Sequence, residues 1–296
     1  MESTLSTNRS PGVSLRAIAG LFKLRIGIVI TFTALAGLSV STGPGLSLAQ
    51  LITLTLAVLI SSASAGAFNQ YYEHDIDPLM SRTRSRPFAT GEIKHGPVWL
   101  FVIGALVTLS VGAAWLALNA WAALFTFLGA FFYAIVYTVW LKRRTWLNIV
   151  FGGLAGSWAV LAGATAVDPQ VGAVPMILAL VLFLWTPPHF WSLAIAYRED
   201  YAAAGIPMLP VVVGDKRAAK TIFASTLALV AASLLPLAFG LGAIYFAGAA
   251  TGGFLFIQKA WRLVQDTNRK TAMSCFHASL AQLTLVLTAA IIDARF

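Results

Sequence analysis

Long apolar stretches separated by short polar ones make up most of the chain. Each stretch has about 18 residues or more, which is the length that spans a bilayer as an α-helix. The pattern therefore predicts an all-α polytopic membrane protein with about nine transmembrane helices. The predicted spans are residues 24–42, 48–71, 97–117, 120–140, 146–166, 173–196, 218–238, 240–257 and 276–292.

The composition agrees with this prediction and excludes an ordinary soluble domain. Of the 296 residues, 58% are hydrophobic and only 10% are charged, whereas soluble domains carry about 25% charged residues. The chain has one cysteine, Cys275, which excludes a disulfide framework and a cysteine-based metal centre. We expect a cytoplasmic N-terminal segment, 1–22, and a single transmembrane domain, 23–296.

The positive charge follows the membrane topology rather than a nucleic-acid surface. With the predicted spans, 19 of the 20 Lys and Arg residues fall on one side of the membrane, and only Arg295 falls on the other. Cytoplasmic loops carry an excess of Lys and Arg, so we expect the N-terminus in the cytoplasm and the C-terminus outside. The net charge of +9 therefore predicts orientation, and no nucleic acid is expected as a partner.

The stretch NQYYEHDIDPLMSRTRSRPF, residues 69–88, brings unusual charge to the end of the second predicted span. Asn69, Glu73 and Asp77 are spaced i, i+4 and i+8, so a helix would place all three on one face. Pro78 follows directly, and we therefore expect the helix to bend or end near Asp77. Acidic residues at membrane depth are costly and mark functional sites.

These side chains have the chemistry of a metal–diphosphate site. Carboxylate and amide oxygens suit Mg²⁺, which takes one or two carboxylates together with substrate phosphates, so we expect Asn69, Glu73 and Asp77 to be metal ligands. The guanidinium groups of Arg82 and Arg86, a few residues later, match phosphate oxygens in a bidentate manner. The alternative for the arginines is a solvated loop that serves only to orient the chain.

Two blocks of sequence resemble a known family. The pattern N-x-x-x-E-x-x-x-D resembles the first acidic motif of the UbiA superfamily of intramembrane prenyltransferases, and the continuation MSRTRSRP resembles its form in the protohaem IX farnesyltransferases (haem O synthases). A second block, LWTPPHFWSLAIAYREDYAAAGIPMLPVV at residues 184–212, resembles the signature of the same group around the sixth span. The chain departs from many superfamily members because its second motif offers only the adjacent acids Glu199 and Asp200.

The resemblance implies farnesyl diphosphate as the donor and haem b as the acceptor, with Mg²⁺ as the cofactor. The products would be haem O and pyrophosphate, formed in a central cavity that opens to the cytoplasmic side of the plasma (inner) membrane. Asp200 is the candidate for the second metal site. A haem A synthase or a terminal oxidase would use the product.

Six further side chains are candidate substrate contacts. His189 follows Pro187 and Pro188, which should kink or break the sixth span. It binds the haem iron, orients a propionate or a water molecule, or serves the packing. For the basic candidates the alternative is a role in orientation alone, and for the asparagine it is a hydrogen bond to another helix. The other five are Lys23, Arg25, Asn148, Tyr201 and Lys216.

Two other functions remain open. A related enzyme could prenylate an aromatic quinone precursor with the same acidic face, but the TPPHFW block followed by Asp200 and Tyr201 favours haem. A transporter or haem carrier would also use intramembrane acids and kinked helices. Against that function, both acidic clusters lie at helix ends, and the sequence shows no obvious internal repeat.

Overall fold

The structure is a computed structural model that describes residues 14–294, and these residues form helices and loops without a strand. Most of the predicted N-terminal segment, including Arg9, and the C-terminal Arg295 lie outside the described residues. A π-helix, Phe132–Leu141, continues α6, and short 3₁₀ helices cover Asp77–Leu79 and Leu235–Phe239. The α-helices are α1 (Leu15–Leu21), α2 (Leu24–Ser39), α3 (Leu48–Tyr72), α4 (Pro87–Thr90), α5 (Val98–Ala117), α6 (Ala120–Phe131), α7 (Asn148–Gly152), α8 (Leu154–Val167), α9 (Ala173–Ala196), α10 (Arg198–Ala203), α11 (Leu209–Val213), α12 (Asp215–Leu234), α13 (Ala243–Gln265) and α14 (Arg269–Asp293).

Short polar residues fix where several of the long helices begin. The hydroxyl of Ser47 accepts a hydrogen bond from the backbone N–H of Gln50 at the start of α3, and the side chain of Asn268 accepts one from Thr271 at the start of α14. The side chain of Asn119 caps α6 in the same way. Such caps satisfy N–H groups that have no partner within the helix. Helix starts are therefore encoded locally, and those of α3 and α6 lie at the predicted positions.

Seven helical segments of the described residues are long and apolar enough to cross a membrane. An eighth crossing results if α1 and α2, which meet at a bend of 50°, form one broken span. Most of the predicted span 240–257 lies in α13, which begins at Ala243. This helix is not among these segments because its second half carries polar and basic residues such as Lys259 and Arg262. Seven or eight of the predicted spans are therefore supported, and the ninth stays a prediction.

The basic loops come together at one end of the helix bundle, which we term the charged end. It comprises the break before α2, the segment between α3 and α5, the turn after the π-helix, the segment from α10 to α12, and the turn before α14. This assembly agrees with the charge alternation on which the predicted topology depends. The loops are connected through Lys23 with Asn69, Lys142 with Glu73, Arg143 with Asp75, Ser81 with Asp200, and Arg269 with Tyr197.

The two prolines of the sixth predicted span do not break the helix. α9 continues from Ala173 to Ala196 and contains Pro187 and Pro188, so of the predicted kink or break the break does not occur. The hydroxyl of Ser192 donates to the backbone oxygen of Pro188 at 2.6 Å. Neighbouring helices bury this part of α9, and such surroundings support helical prolines within membrane proteins.

Close packing of α2 against α8 depends on two glycines. A Cβ atom added at Gly37 would meet the carbonyl oxygen of Val160, and one added at Gly163 would meet that of Ala34. Small residues at helix contacts allow the backbones of membrane helices to approach closely. The obstacles are backbone atoms, so they cannot rotate away as a side chain can.

Gly163→Ala is expected to destabilise the protein by at least about 1–3 kcal/mol, the usual cost of overpacking, because α2 and α8 must separate. Thermal unfolding of the purified protein in detergent measures this loss. The matched control is Gly112→Ala in α5, where an added Cβ meets no atom within 4 Å. Equal melting temperatures for the two variants would contradict the prediction.

Candidate active site

The acidic residues of the 69–88 stretch lie where α3 gives way to an irregular segment. α3 ends at Tyr72 and Glu73 caps it, so the helix ends earlier than the predicted position near Asp77. Asp77 instead begins a 3₁₀ helix. The backbone N–H of Asp77 still donates to the carbonyl oxygen of Glu73 at 2.9 Å. This turn keeps the two carboxylates close together although they do not share a helix.

Arg86 lies between the two carboxylates. Its Nη1 atom donates to both carboxylate oxygens of Asp77, at 2.7 and 2.9 Å, and lies 3.4 Å from Oε2 of Glu73. The ammonium group of Lys142 forms a second ion pair, with Oε1 of Glu73. Glu73 and Asp77 are each 1% exposed. Buried carboxylates require such partners, and here the partners are basic side chains of the chain itself.

The two carboxyl groups differ in how readily they ionise. Burial alone would raise the pKa of Glu73, but the charge of Lys142 and its hydrogen bond outweigh burial, and the pKa is lowered. Burial raises the pKa of Asp77, and Arg86 offsets only part of that rise. Opposite charge favours the ionised form whereas desolvation opposes it, so Glu73 is the firmer anion of the two.

Lys23 reaches the site from the break between α1 and α2. Its backbone φ of 46° makes it the one non-glycine residue of the described chain with a positive φ, a conformation that concentrates at functional sites. Its Nζ atom donates to Oδ1 of Asn69 at 2.6 Å and to the hydroxyl of Tyr133 at 2.9 Å. The amide of Asn69 donates to the Thr138 hydroxyl at 3.1 Å. Asn69 thus contacts Lys23 and Thr138, and its role as a metal ligand stays a prediction.

The turn around the π-helix contributes residues that the sequence reasoning missed. π-helical turns are frequent at functional sites, and this one carries Tyr133 and Tyr137, whose rings stack at 5.9 Å. Lys142 follows it directly, with Nζ 5.7 Å from the ring centre of Tyr137. In the sequence Lys142 is indistinguishable from a basic residue that only orients the chain. The signal that could have found it is the predicted topology, which places it on the same side of the membrane as Glu73.

The two motifs of the sequence meet at the charged end. Nη2 of Arg82 donates to the hydroxyl of the buried Tyr201 at 3.4 Å. The hydroxyl of Ser81 donates to Oδ2 of Asp200 at 2.6 Å. Asp200 forms no hydrogen bond or ion pair with Arg86 within the described residues, so it does not share the partner of the two buried carboxylates. Its role in a second metal site stays a prediction.

Three other predicted contacts have different surroundings. Asn148 is buried, and its amide donates to the backbone oxygens of Thr145, at 2.7 Å, and Lys142, at 3.3 Å. It therefore fixes the turn that presents Lys142, a role that the sequence did not suggest. Arg25 and Lys216 are exposed, and neither has a side-chain hydrogen bond or ion pair with a described residue. Exposed basic side chains of this kind are expected if the two residues serve only to orient the chain in the membrane. Their contact with substrate stays a prediction.

His189 is buried in α9 among aromatic rings. Trp185 and Phe276 stack on it, with ring centres at 4.1 and 4.4 Å. Its Nδ1 atom shares a hydrogen bond of 2.6 Å with the hydroxyl of Ser279. These contacts support the packing alternative, and binding to haem iron stays a prediction.

The donor set fits Mg²⁺ held jointly by the protein and a phosphate ligand. Between residues 14 and 294, no group of three or more His, Cys, Asp or Glu side chains could hold a metal by itself. Glu73 and Asp77 converge on one nitrogen of Arg86, so they can also converge on one cation. Mg²⁺ needs few protein ligands when substrate phosphates complete its coordination. Arg86 would then be free to contact phosphate.

Known proteins resemble the chain in both sequence and fold. Residues 30–284 match the model of the UbiA prenyltransferase family. The chain is 55% identical over 280 residues to protoheme IX farnesyltransferase 2 of Paramagnetospirillum magneticum, covering 95% of this chain and 97% of that one. Its fold is similar to that of a solved digeranylgeranylglyceryl phosphate synthase, with a TM-score of 0.78, 21% identity, and coverage of 95% and 98%. It is also similar to a UbiA homologue from Archaeoglobus fulgidus bound to DMAPP and Mg²⁺, with a TM-score of 0.69, 17% identity, and coverage of 91% and 98%.

Proposed function

Because the chain belongs to the UbiA prenyltransferase family, we propose that it transfers a farnesyl group from farnesyl diphosphate to the vinyl group of haem b, giving haem O and pyrophosphate. The name of the relative from P. magneticum supports the donor and the acceptor. The observation that carries the proposal is the convergence of Glu73 and Asp77 on Arg86. It joins a cation site to an anion site within one group of side chains, which we term the buried cluster: Lys23, Glu73, Asp77, Arg86 and Lys142, with Arg82 at its exposed edge.

The buried cluster stabilises the charge that develops on the leaving diphosphate. Glu73 and Asp77 would hold Mg²⁺, which when bound supplies positive charge beside the diphosphate oxygens. Arg86, Arg82 and Lys23 donate hydrogen bonds to the same oxygens. These donors are already in place, with Lys23 and Arg86 half-buried and Arg82 exposed, so they stabilise the transition state with little reorganisation.

The prenyl group is transferred as an allylic cation. The C–O bond to the diphosphate breaks, and the electron pair leaves with pyrophosphate. The vinyl group of haem b attacks the freed carbon, and water then adds to the haem side chain with loss of a proton. Tyr133 and Tyr137 offer aromatic faces that stabilise a cation, while the surrounding helices exclude water until the carbon–carbon bond has formed.

The chain is an integral membrane protein, and we place its charged end at the cytoplasmic face of the inner (plasma) membrane. The excess of Lys and Arg in the loops at that end supports this orientation. It would put the N-terminus in the cytoplasm and the C-terminus outside, and the proposed central cavity would open where farnesyl diphosphate and Mg²⁺ arrive from water.

Further residues complete the proposed site. Asn69 and Asp200 are proposed as additional oxygen ligands beside the diphosphate, and Tyr201 as a group that orients Arg82. Asn148 acts through the turn that carries Lys142. His189 would contact the acceptor from α9.

Purified protein incubated with haem b, farnesyl diphosphate and Mg²⁺ is expected to form haem O, detected by mass spectrometry. Chelation of divalent cations should stop the reaction, and added Mg²⁺ should restore it, because without the cation the two carboxylates and the negatively charged diphosphate repel each other. The control omits the protein.

Two outcomes would replace this proposal. Prenylation of an aromatic quinone precursor with haem b unchanged would assign the enzyme to ring acceptors. Binding of haem b without product, in the presence of donor and Mg²⁺, would favour a haem carrier.

A further inference from the structure

A groove lies on the surface of the bundle between α13 and α14, and none of its residues belongs to the buried cluster. Its volume is about 540 Å³, and it is open along the protein surface. Leu255, Met273 and Ala281 form part of an apolar lining. Such a groove offers space for a flat apolar ligand.

Three polar side chains of this groove lie at different distances from the charged end. Lys270 is in the first turn of α14, whereas Lys259 lies six residues before the end of α13. His277 lies eight residues after the start of α14, about 12 Å along the helix at 1.5 Å per residue. The sequence placed His277 at the beginning of a span, but α14 begins at Arg269 and His277 is exposed well inside it. Ionisable side chains within a membrane-spanning helix are costly and mark functional sites, and α14 is long and apolar enough to be one.

The polar groups match an iron porphyrin that carries two carboxylates. Neither Lys259 nor Lys270 forms an ion pair with a described residue, so both ammonium groups are available for propionates. The imidazole of His277 is a usual ligand of haem iron. Arg262 and Arg269 near the ends of the same two helices add to the positive potential that attracts an anionic ligand.

The groove is connected to the interior through one turn of α14. The rings of Phe276 and His277 lie 5.4 Å apart, and Phe276 stacks on His189 at 4.4 Å. Ser279 on the following turn shares a hydrogen bond with His189. A ligand at His277 therefore lies across a single helix from the part of α9 where the acceptor is proposed to react.

We propose that this groove is a docking site for haem b, with its propionates at Lys259 and Lys270 and its iron at His277. The inference rests on the proposed function, because haem b is the acceptor named there. The groove holds haem b on the outer surface of the helix bundle before haem b moves to the buried cluster.

Absorption titration of the purified full chain in lipid nanodiscs, without farnesyl diphosphate, tests the site. Haem b is the probe, and iron-free protoporphyrin IX is the comparison. The double variant Lys259→Gln/Lys270→Gln is expected to raise the Kd for both porphyrins about tenfold, equivalent to about 1.4 kcal/mol. His277→Ala and His277→Gln should remove the histidine-type haem spectrum and leave protoporphyrin IX binding unchanged. Lys220→Gln, an exposed change on α12, is the matched control.

Turnover assays separate this inference from the proposed function. Wild-type formation of haem O together with an unchanged Kd and spectrum in the groove variants would overturn the docking site and leave the function intact. A histidine spectrum that survives His277→Ala but is lost in His189→Ala would place the iron in the interior and overturn the inference. The groove would instead be a lipid headgroup site under two conditions. Haem b binding would be lost in nanodiscs that contain phosphatidylglycerol, and the lysine substitutions would leave the Kd for haem b unchanged in zwitterionic nanodiscs. In the supported case, the double lysine variant raises the KM for haem b and keeps kcat.

Discussion

Glu73→Gln and Asp77→Asn are each expected to lower kcat for haem O formation by at least about a hundredfold. Loss of one preorganised group that stabilises transition-state charge costs about 100- to 1,000-fold. Each substitution removes one of the two carboxylates that converge on Arg86. Steady-state kinetics with mass-spectrometric detection of haem O measures the effect.

Asp75→Asn is the matched control for these two substitutions. Asp75 belongs to the same segment, but it pairs with Arg143 at 2.7 Å where both side chains are partly exposed. Exposed ion pairs contribute little to stability, so this variant should keep near-normal turnover. An equal loss of activity in Asp75→Asn would mean that the whole segment, rather than the buried pair, is sensitive to charge.

A double variant separates catalysis from folding. Glu73→Gln leaves Lys142 buried without its carboxylate, and breaking a buried pair costs about 3–5 kcal/mol. Glu73→Gln/Lys142→Gln removes both charges, so it should recover much of the thermal stability but not the activity. Recovery of turnover in the double variant would limit Glu73 to a structural role.

Arg86→Gln is expected to change the binding of anion and cation in opposite directions. Hydrogen bonds to charged groups are worth about 1.5–3 kcal/mol, so affinity for inorganic pyrophosphate should fall at least tenfold. Affinity for Mg²⁺ in the absence of diphosphate should rise, because the guanidinium no longer neutralises Glu73 and Asp77. Isothermal titration of each ligand separately measures both changes.

Arg84→Gln serves as the control for Arg86→Gln. Arg84 lies in the same loop and is exposed, and no described side chain pairs with it, so both affinities should stay at the wild-type values. If Mg²⁺ affinity in Arg86→Gln stays equal to that of the wild type, the guanidinium does not compete with the metal for the carboxylates.

Much of the architecture could be predicted from the sequence because the bilayer imposes it. Span length follows from bilayer thickness, and the side on which loops gather follows from Lys and Arg. The structure brings Asp200 of the second block to Ser81 of the first motif, and the predicted role of Asp200 as a metal ligand stays a prediction. The count of spans was harder, because α13 mixes apolar residues with Lys259 and Arg262.

The pairing inside the site could not be predicted from spacing. Helical spacing predicted that Asn69 would act with Glu73 and Asp77. In the structure its amide oxygen instead accepts a hydrogen bond from Lys23, which is 46 residues away in the sequence. Lys142 reaches Glu73 from 69 residues away. Such partners depend on which helices pack together, and the spacing of charges along the sequence does not give that information. The π-helix was missed for the same reason, since an aromatic run in a span gives no signal of a wider turn.

The charge balance of the buried cluster has a consequence for turnover. Arg86 and Lys142 pair with the two acids Glu73 and Asp77. Lys23, bonded to Asn69, and the exposed Arg82, bonded to Tyr201, lie beside them, which leaves a formal excess of two positive charges. Farnesyl diphosphate binds to this excess of positive charge through its diphosphate group. After transfer, pyrophosphate stays bound there, and it is a smaller anion with a higher charge density. We therefore expect escape of pyrophosphate to set the pace of the catalytic cycle and added pyrophosphate to compete with the donor. The arrangement that draws the substrate in is thus also the one that delays the product.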